Sequence, residues 1–254
     1  MSNIFAQVTQ DTEAVEDGDR LGGASSVIPT NIYDAIVKDA YIIESKNGAL
    51  GIVLTLDADG NEITETNYIT NRQKSITYKD KKSGEAKFMV GYSIYNALSL
   101  LVSSKSILEN DTPEQTRMLW DYESKKELPQ QVPVLEEWLG KPVKVAIQEK
   151  IEAKTGKNDD GEYVPQYDDN SGELVTYKTN AIVKFYRERD NMTVFEITNG
   201  AEAAEHHDKW LAKNKDKVWD TTTNIPKTVA VGAKSGNLGG GGATPTAAKK
   251  VLFN

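Results

Sequence analysis

Between Tyr68 and Tyr92 six basic side chains, Arg72, Lys74, Lys79, Lys81, Lys82 and Lys87, are interleaved with the rings of Tyr68, Tyr78, Phe88 and Tyr92. Cations neutralise phosphates and release their condensed counterions, and flat rings give unpaired bases a face to stack on, at about 1–3 kcal/mol per base. Single-stranded nucleic acid needs both. Within residues 72–88 only Asp80 and Glu85 oppose the positive charge. The same stretch, with Asp80, Ser83 and Gly84 at its centre, also has the composition of a solvated hairpin. Further basic segments therefore bear on the reading: Lys141, Lys144, Lys150, Lys154 and Lys157, then Lys178, Lys184, Arg187 and Arg189. Lys144 and Arg187 are the phosphate contacts expected from these two runs. Solvated strand edges would explain them equally well.

Catalytic patterns fare worse. Glu85-x-Lys87 and Glu152-x-Lys154 match the Glu-x-Lys pair of metal-dependent nucleases, but neither has an acidic partner at the end of an upstream buried strand. His206 and His207, the two histidines, stand beside Glu202, Glu205 and Asp208 without a His-Glu-x-x-His pattern. Asp57-x-Asp59-Gly60 and the clusters at 158–161 and 168–172 lack the twelfth-position glutamate of a calcium loop and are expected to be turns. Gly232-Ala-Lys234-Ser235 lacks the phosphate-loop spacing. No catalytic residue, cofactor or metal is expected.

The chain has 254 residues, 38% of them hydrophobic, with a formal charge of −8 and no cysteine. Disulfides and thiolate chemistry are excluded, and no apolar run of about 20 residues suggests a membrane span. The acids are segregated, with Asp11, Glu13, Glu16, Asp17 and Asp19 together near the start. After Asp220 come only Lys227, Lys234, Lys249 and Lys250. Local sign therefore says more about partners than the total does.

The elements that must position the 68–92 stretch follow from periodicity. Residues 31–44 alternate as a strand, Asn47-Gly48 makes a tight turn, 49–56 forms a second strand and 62–70 a third. Tyr92, Tyr95, Leu98, Leu101 and Val102 then recur at helical spacing. Residues 106–132 are expected to be an irregular excursion or a small inserted element, and 133–140 a short helix. Residues 141–151 and 179–188 supply the fourth and fifth strands, with a protruding hairpin at 162–167, and 201–215 a further helix. Trp120, Trp138 and Trp210, each beside a leucine, are assigned to the core. Strand, strand, strand, helix, strand, strand is the order of an OB-fold, a five-stranded Greek-key barrel. The expected division is an arm at 1–29, the OB domain at 30–217 and a flexible Gly-rich tail at 218–254.

The chain also resembles the single-stranded DNA-binding proteins of lytic podovirus bacteriophages. The likeness lies in Asp19-Arg20-Leu21-Gly22-Gly23, in the strand pair 33–56 with Ser45-Lys46-Asn47-Gly48-Ala49 at its turn, and in Tyr68-Ile69-Thr70-Asn71-Arg72. It continues through Tyr78-Lys79-Asp80-Lys81-Lys82-x-Gly84, Pro133-Val134-Leu135, Leu139-Gly140-Lys141-Pro142-Val143-Lys144 and the 203–215 helix, and so spans residues 19 to about 217. The resemblance implies an OB-fold that coats unwound viral DNA in the host cytoplasm, supports replication and recombination, and recruits protein partners through a C-terminal tail. This tail departs from the acidic kind: Lys249, Lys250, Val251, Leu252 and Phe253 are cationic and apolar, and Asn254 follows. They are expected to dock on an acidic partner such as a replication or transcription protein. Two other readings stand beside DNA binding, a metal-dependent nuclease and a DNA-mimicking structural protein.

Overall fold

The computed structural model describes residues 27–121 and 124–229. In chain order the elements are β1 (Asn31–Glu44), β2 (Leu50–Ala58), β3 (Asn61–Tyr68), β4 (Thr77–Lys79), β5 (Ala86–Phe88), α1 (Val90–Val102), β6 (Glu114–Asp121) and β7 (Lys126–Pro133). There follow β8 (Pro142–Ala153), β9 (Thr155–Lys157), β10 (Tyr163–Pro165), β11 (Thr176–Tyr186), α2 (Val194–Thr198), α3 (His206–Asn214) and β12 (Trp219–Asp220). The protein is mainly β. Its main sheet runs β11-β8-β1-β2-β3, with β12 added parallel to β8, so the five long strands lie in the order fifth, fourth, first, second, third.

The sheet is open and mixed. No ladder joins β3 to β11 among the described residues; instead the Ile182 backbone N–H of β11 donates to Glu65 Oε2 of β3 at 2.9 Å. That bond falls beside the register shift between Ile182 and Lys184, where β11 breaks step with β8. Desolvation pushes the Glu65 carboxyl up, against the lowering effect of the Ile182 N–H. Among the described residues no helix is long and apolar enough to cross a membrane.

Alternation accounts for the core. Val37, Leu54, Leu56, Val145, Ile147 and Phe185 are at most 1% exposed, each worth about 1.5–3 kcal/mol relative to an exposed side chain. From α1 the buried stripe is Tyr92, Tyr95 and Leu98. Trp138 is fully buried and its indole N–H donates to Asn110 Oδ1 at 3.2 Å, as a core tryptophan should. Trp120 and Trp210 are the corrections: Trp120 is 53% exposed, and Trp210 is half-buried on α3, which buries no residue.

Four other expectations shift. Residues 114–133 form a regular antiparallel ribbon of β6 and β7, pairing Glu114 with Pro133 through to Asp121 with Lys126. The expected helix near Trp138 is a single turn, Glu136–Trp138. The hairpin expected at 162–167 is formed instead by Thr155–Lys157 and Tyr163–Pro165, with the expected turn at 158–161 joining them. The helix expected from 201 begins at His206, because Glu196 accepts the N–H groups of Glu205 and His206, both at 2.8 Å, and so caps it there.

At the ends, Ile28 is buried with its N–H and C=O both paired to the Asn180 amide. Residues 218–229, grouped with the tail on composition, lie against the sheet: Trp219 pairs with Lys150, and Thr228 bridges Glu173. The basic and apolar segment 249–253 lies outside the described residues.

Candidate nucleic-acid interface

The loop after β3 is fastened to the tip of the β1–β2 hairpin. Thr70 Oγ1 accepts the Leu50 N–H at 2.8 Å. Asn71 organises the turn, its side-chain oxygen accepting from the N–H groups of Gln73 and Ser75 at 2.9 and 3.0 Å. Gly48, at φ +86°, closes the hairpin so near this loop that a Cβ there would lie 3.4 Å from the Arg72 carbonyl oxygen. Arg72 and Lys74 are exposed on the loop, and Lys74 pairs with Glu44 at 3.2 Å. Both partners of that pair are more than half exposed, so it contributes little stability.

Beyond this loop β4 and β5 form a short hairpin. Asp80 builds its turn, accepting from the N–H groups of Lys82 and Ser83 at 2.8 and 3.0 Å and from Lys87 Nζ at 2.8 Å. Lys87 is the main cause that holds the Asp80 carboxyl well below the usual range. Lys87 therefore serves the hairpin itself. Lys79, Lys81 and Lys82 are exposed and make no ion pair among the described residues.

Register decides where the rings go. Tyr78 pairs with Lys87, and Thr77 with Phe88, so Tyr78 and Phe88 point to opposite faces of the hairpin. Tyr78 is 42% and Phe88 55% exposed. Phe88 leans on Tyr92 with ring centroids 5.2 Å apart. Tyr92 is buried in the core, which corrects its assignment as a stacking ring: the helical period that places it on α1 also turns it inward.

Tyr68 lies on the outward face of the main sheet, in a row with Ile43 of β1 and Gly51 of β2. A Cβ on Gly51 would approach Tyr68 Cδ1 to 3.1 Å and Ile43 Cγ1 to 3.4 Å. The missing side chain leaves room for the ring, whose Cδ1 and Cε1 atoms occupy the space beside Gly51. The next rows on this face are Tyr41, Val53 and Thr66, then Asp39, Thr55 and Thr64. Over β1 stands the β6–β7 ribbon, its Arg117 donating to both Asp39 oxygens at 2.8 and 3.0 Å. A shallow floor thus runs from Arg72 and Tyr68 to the base of the ribbon. Ile43, Gly51, Tyr41 and Arg117 belong to it and were not among the residues expected from sequence. Strict alternation from Val37 would have sent Tyr41 inward; the register shift between Val37 and Asp39 turns it out.

Lys144 and Arg187 are elsewhere. Lys144 pairs with Asp34 at 3.0 Å in a hollow also lined by Asp57, Asp59 and Glu188, where phosphate would be repelled. Asp34 is nine residues from Ile43 along β1, about 30 Å of strand. Arg187 is held by Asp190 at 2.6 Å and lines a cleft with Leu100–Val102 at the end of α1. The start of α1 packs beneath Tyr68, with Gly91 against its carbonyl. The helix's 13 residues thus separate the two by about 20 Å. Neither residue shares a surface with Tyr68, which corrects their assignment to one channel.

The catalytic alternatives gain nothing from placement. Glu85 is exposed in the hairpin turn, and Glu152 is bonded to Lys150 and Tyr177. His206 Nδ1 meets the buried Tyr186 hydroxyl at 3.1 Å. Among the described residues no group of three or more His, Asp or Glu could hold a metal ion. No family model matches the chain, and no curated protein matches it.

Proposed function

We propose that this chain binds single-stranded DNA without sequence preference and without catalysis, on the floor between Tyr68 and the β6–β7 ribbon and under the β4–β5 hairpin. The observation that carries the reading is an exposed ring laid over bare backbone, Tyr68 on Gly51, with Arg72 exposed on the adjoining loop and, on the hairpin that follows, Lys79, Lys81 and Lys82 exposed and without an ion pair among the described residues. Rings provide stacking faces for any base, and mobile cations follow any phosphate path.

The strand order supports it. β8 lies beside β1, followed by β2 and β3, which is the Greek-key order. With α1 between the third and fourth long strands, we interpret the sheet as an OB-type barrel left open between β3 and β11, a fold whose strands and loops bind oligonucleotides. By resemblance, the cellular setting is phage DNA replication and recombination in the host cytoplasm, with residues 249–253 recruiting a protein partner.

Fluorescence anisotropy with matched single- and double-stranded oligonucleotides tests the reading. Single strands should bind more tightly, with affinity falling by about 0.7 log units per decade of salt for each phosphate contact. A flat salt response or a preference for duplex overturns it. Shortening of the oligonucleotide with magnesium or manganese would identify a nuclease instead, and absence of any binding a DNA mimic.

A further inference from the structure

The β6–β7 ribbon has two unlike faces. One carries Arg117, bound to Asp39, and the buried Val132, and it seats the ribbon on β1. The other carries Thr116, Met118 and Trp120 opposite Gln131, Pro129 and Glu127. Met118 is 57% and Trp120 53% exposed. On this outer face the charged residues are Glu127 and, at the base, Glu114. It is an apolar knob with acidic flanks.

Elsewhere on the molecule is a cleft of the opposite character. It has a volume of about 550 Å³, with apolar walls of Leu101 and Val102 from α1, Pro142 from β8, and Val194 and Ile197 from α2. Its rim carries Lys141, Arg187 and Arg189 against Glu188 and against Asp190, which lies 2.6 Å from Arg187 and 3.7 Å from Arg189, and so keeps a net positive charge. The Arg189 side chain is 71% exposed. The Arg117–Asp39 bonds and the Tyr41–Val134 bridge fasten the ribbon to β1, and no ribbon residue lines the cleft.

The geometry points to a contact between copies of this chain: the Met118 and Trp120 knob of one copy enters the cationic cleft of the next. Hydrophobicity and charge agree on this occupant, since the knob offers a large aromatic and a flexible thioether with the Glu127 carboxylate directly opposite Trp120. The contact is heterologous, so it builds chains or rings of copies rather than isologous pairs. The knob amounts to a few side chains, below the roughly 800 Å² per partner of a stable complex. Association is therefore weak in free solution and strengthens when copies are held close together, as on one extended polymer. The contact stands whether or not that polymer is nucleic acid.

The absence of cysteine allows a clean test. Full-length Thr116→Cys and Thr198→Cys variants, mixed at high concentration and treated with a short bismaleimide, should yield a linked product containing one of each. Adding Trp120→Ala to the first variant should abolish it. No mixed product, a product indifferent to Trp120→Ala, or only like-with-like products overturn the proposal. Independently, Glu127→Lys and Arg189→Glu lie at exposed positions and should each remove the concentration-dependent rise in sedimentation coefficient. An equimolar mixture of the two should restore it, because both mixed knob-and-cleft pairings bring opposite charges together, whereas each variant alone sets like charges against each other. Failure of the mixture to restore the rise also counts against the contact.

Discussion

The ring of Tyr68 on β3 lies over the bare backbone of Gly51 on β2, so close that a Cβ on Gly51 would sit 3.1 Å from Tyr68 Cδ1. Gly51 is thus a binding residue without a side chain. Gly51→Val should lift the ring and weaken single-strand affinity about as much as Tyr68→Ala, by roughly 5- to 150-fold, the range that about 1–3 kcal/mol of stacking gives. Anisotropy titrations of both variants check this, with circular dichroism confirming the fold. Unchanged affinity in Gly51→Val would remove Tyr68 from the site.

The cations divide into two groups with opposite expectations. Lys79, Lys81 and Lys82 on the β4–β5 hairpin make no ion pair among the described residues, whereas Lys144 and Arg187 are held by Asp34 and Asp190. Replacing the three hairpin lysines by alanine should reduce the slope of log affinity against log salt by about 2, at ~0.7 per phosphate contact. Lys144→Ala and Arg187→Ala should leave the slope unchanged. A smaller slope in either single variant would mean that DNA travels beyond the Tyr68 surface.

This division shows where sequence reasoning succeeds and where it stops. The hydrophobic alternation of 31–44 and the Asn47-Gly48 turn announce β1 and its hairpin directly, and the structure has β1 at those residues. Clustered cations are visible too, but their partners are not: Asp34 meets Lys144 only through the β1–β8 register. Gly51 carries no signal until Tyr68 is placed over it across a ladder. The ribbon at 114–133 was obscured by its scattered charges and by Pro129 within β7, and its alternation of Gln115, Arg117 and Leu119 against Thr116, Met118 and Trp120 is clear only once paired. Local pattern specifies elements; register specifies which side chains share a face.

Gly91 opens α1 directly under β3, where an added Cβ would lie 2.4 Å from the Tyr68 carbonyl oxygen. An alanine in a helix ordinarily gains about 1 kcal/mol over glycine. Here the clash is with backbone and cannot be relieved by a rotamer change, so overpacking at about 1–3 kcal/mol should dominate. Gly91→Ala is expected to lower the urea midpoint and, by shifting the end of β3, to weaken single-strand binding. A raised midpoint would show that α1 yields at its first turn.

The junction of α2 and α3 should respond to acid in two steps. Burial works to raise the Glu196 carboxyl, but the N–H groups of Thr193, His206 and Glu205, with the Thr193 hydroxyl, outweigh it and bring it to about 2. A lowered carboxylate stabilises the fold above its unfolded value of 4.5, and that contribution is lost as pH falls from there toward about 2. His206 is also lowered, by burial first and then by Lys184, so the folded state resists its protonation and stability falls as pH drops through 6.5. Urea midpoints measured across pH should therefore decline once below 6.5 and again below 4.5. Glu196→Gln, which cannot ionise, should cost about 1–3 kcal/mol at neutral pH by weakening bonds to buried N–H groups, and should shrink the lower step, to which the lowered carboxyls of Glu152, Asp190 and Asp220 also contribute, without changing the upper one. His206→Gln should remove only the upper one. If both variants keep both steps at full size, acid sensitivity arises elsewhere and the Glu196 cap does not control the docking of α3.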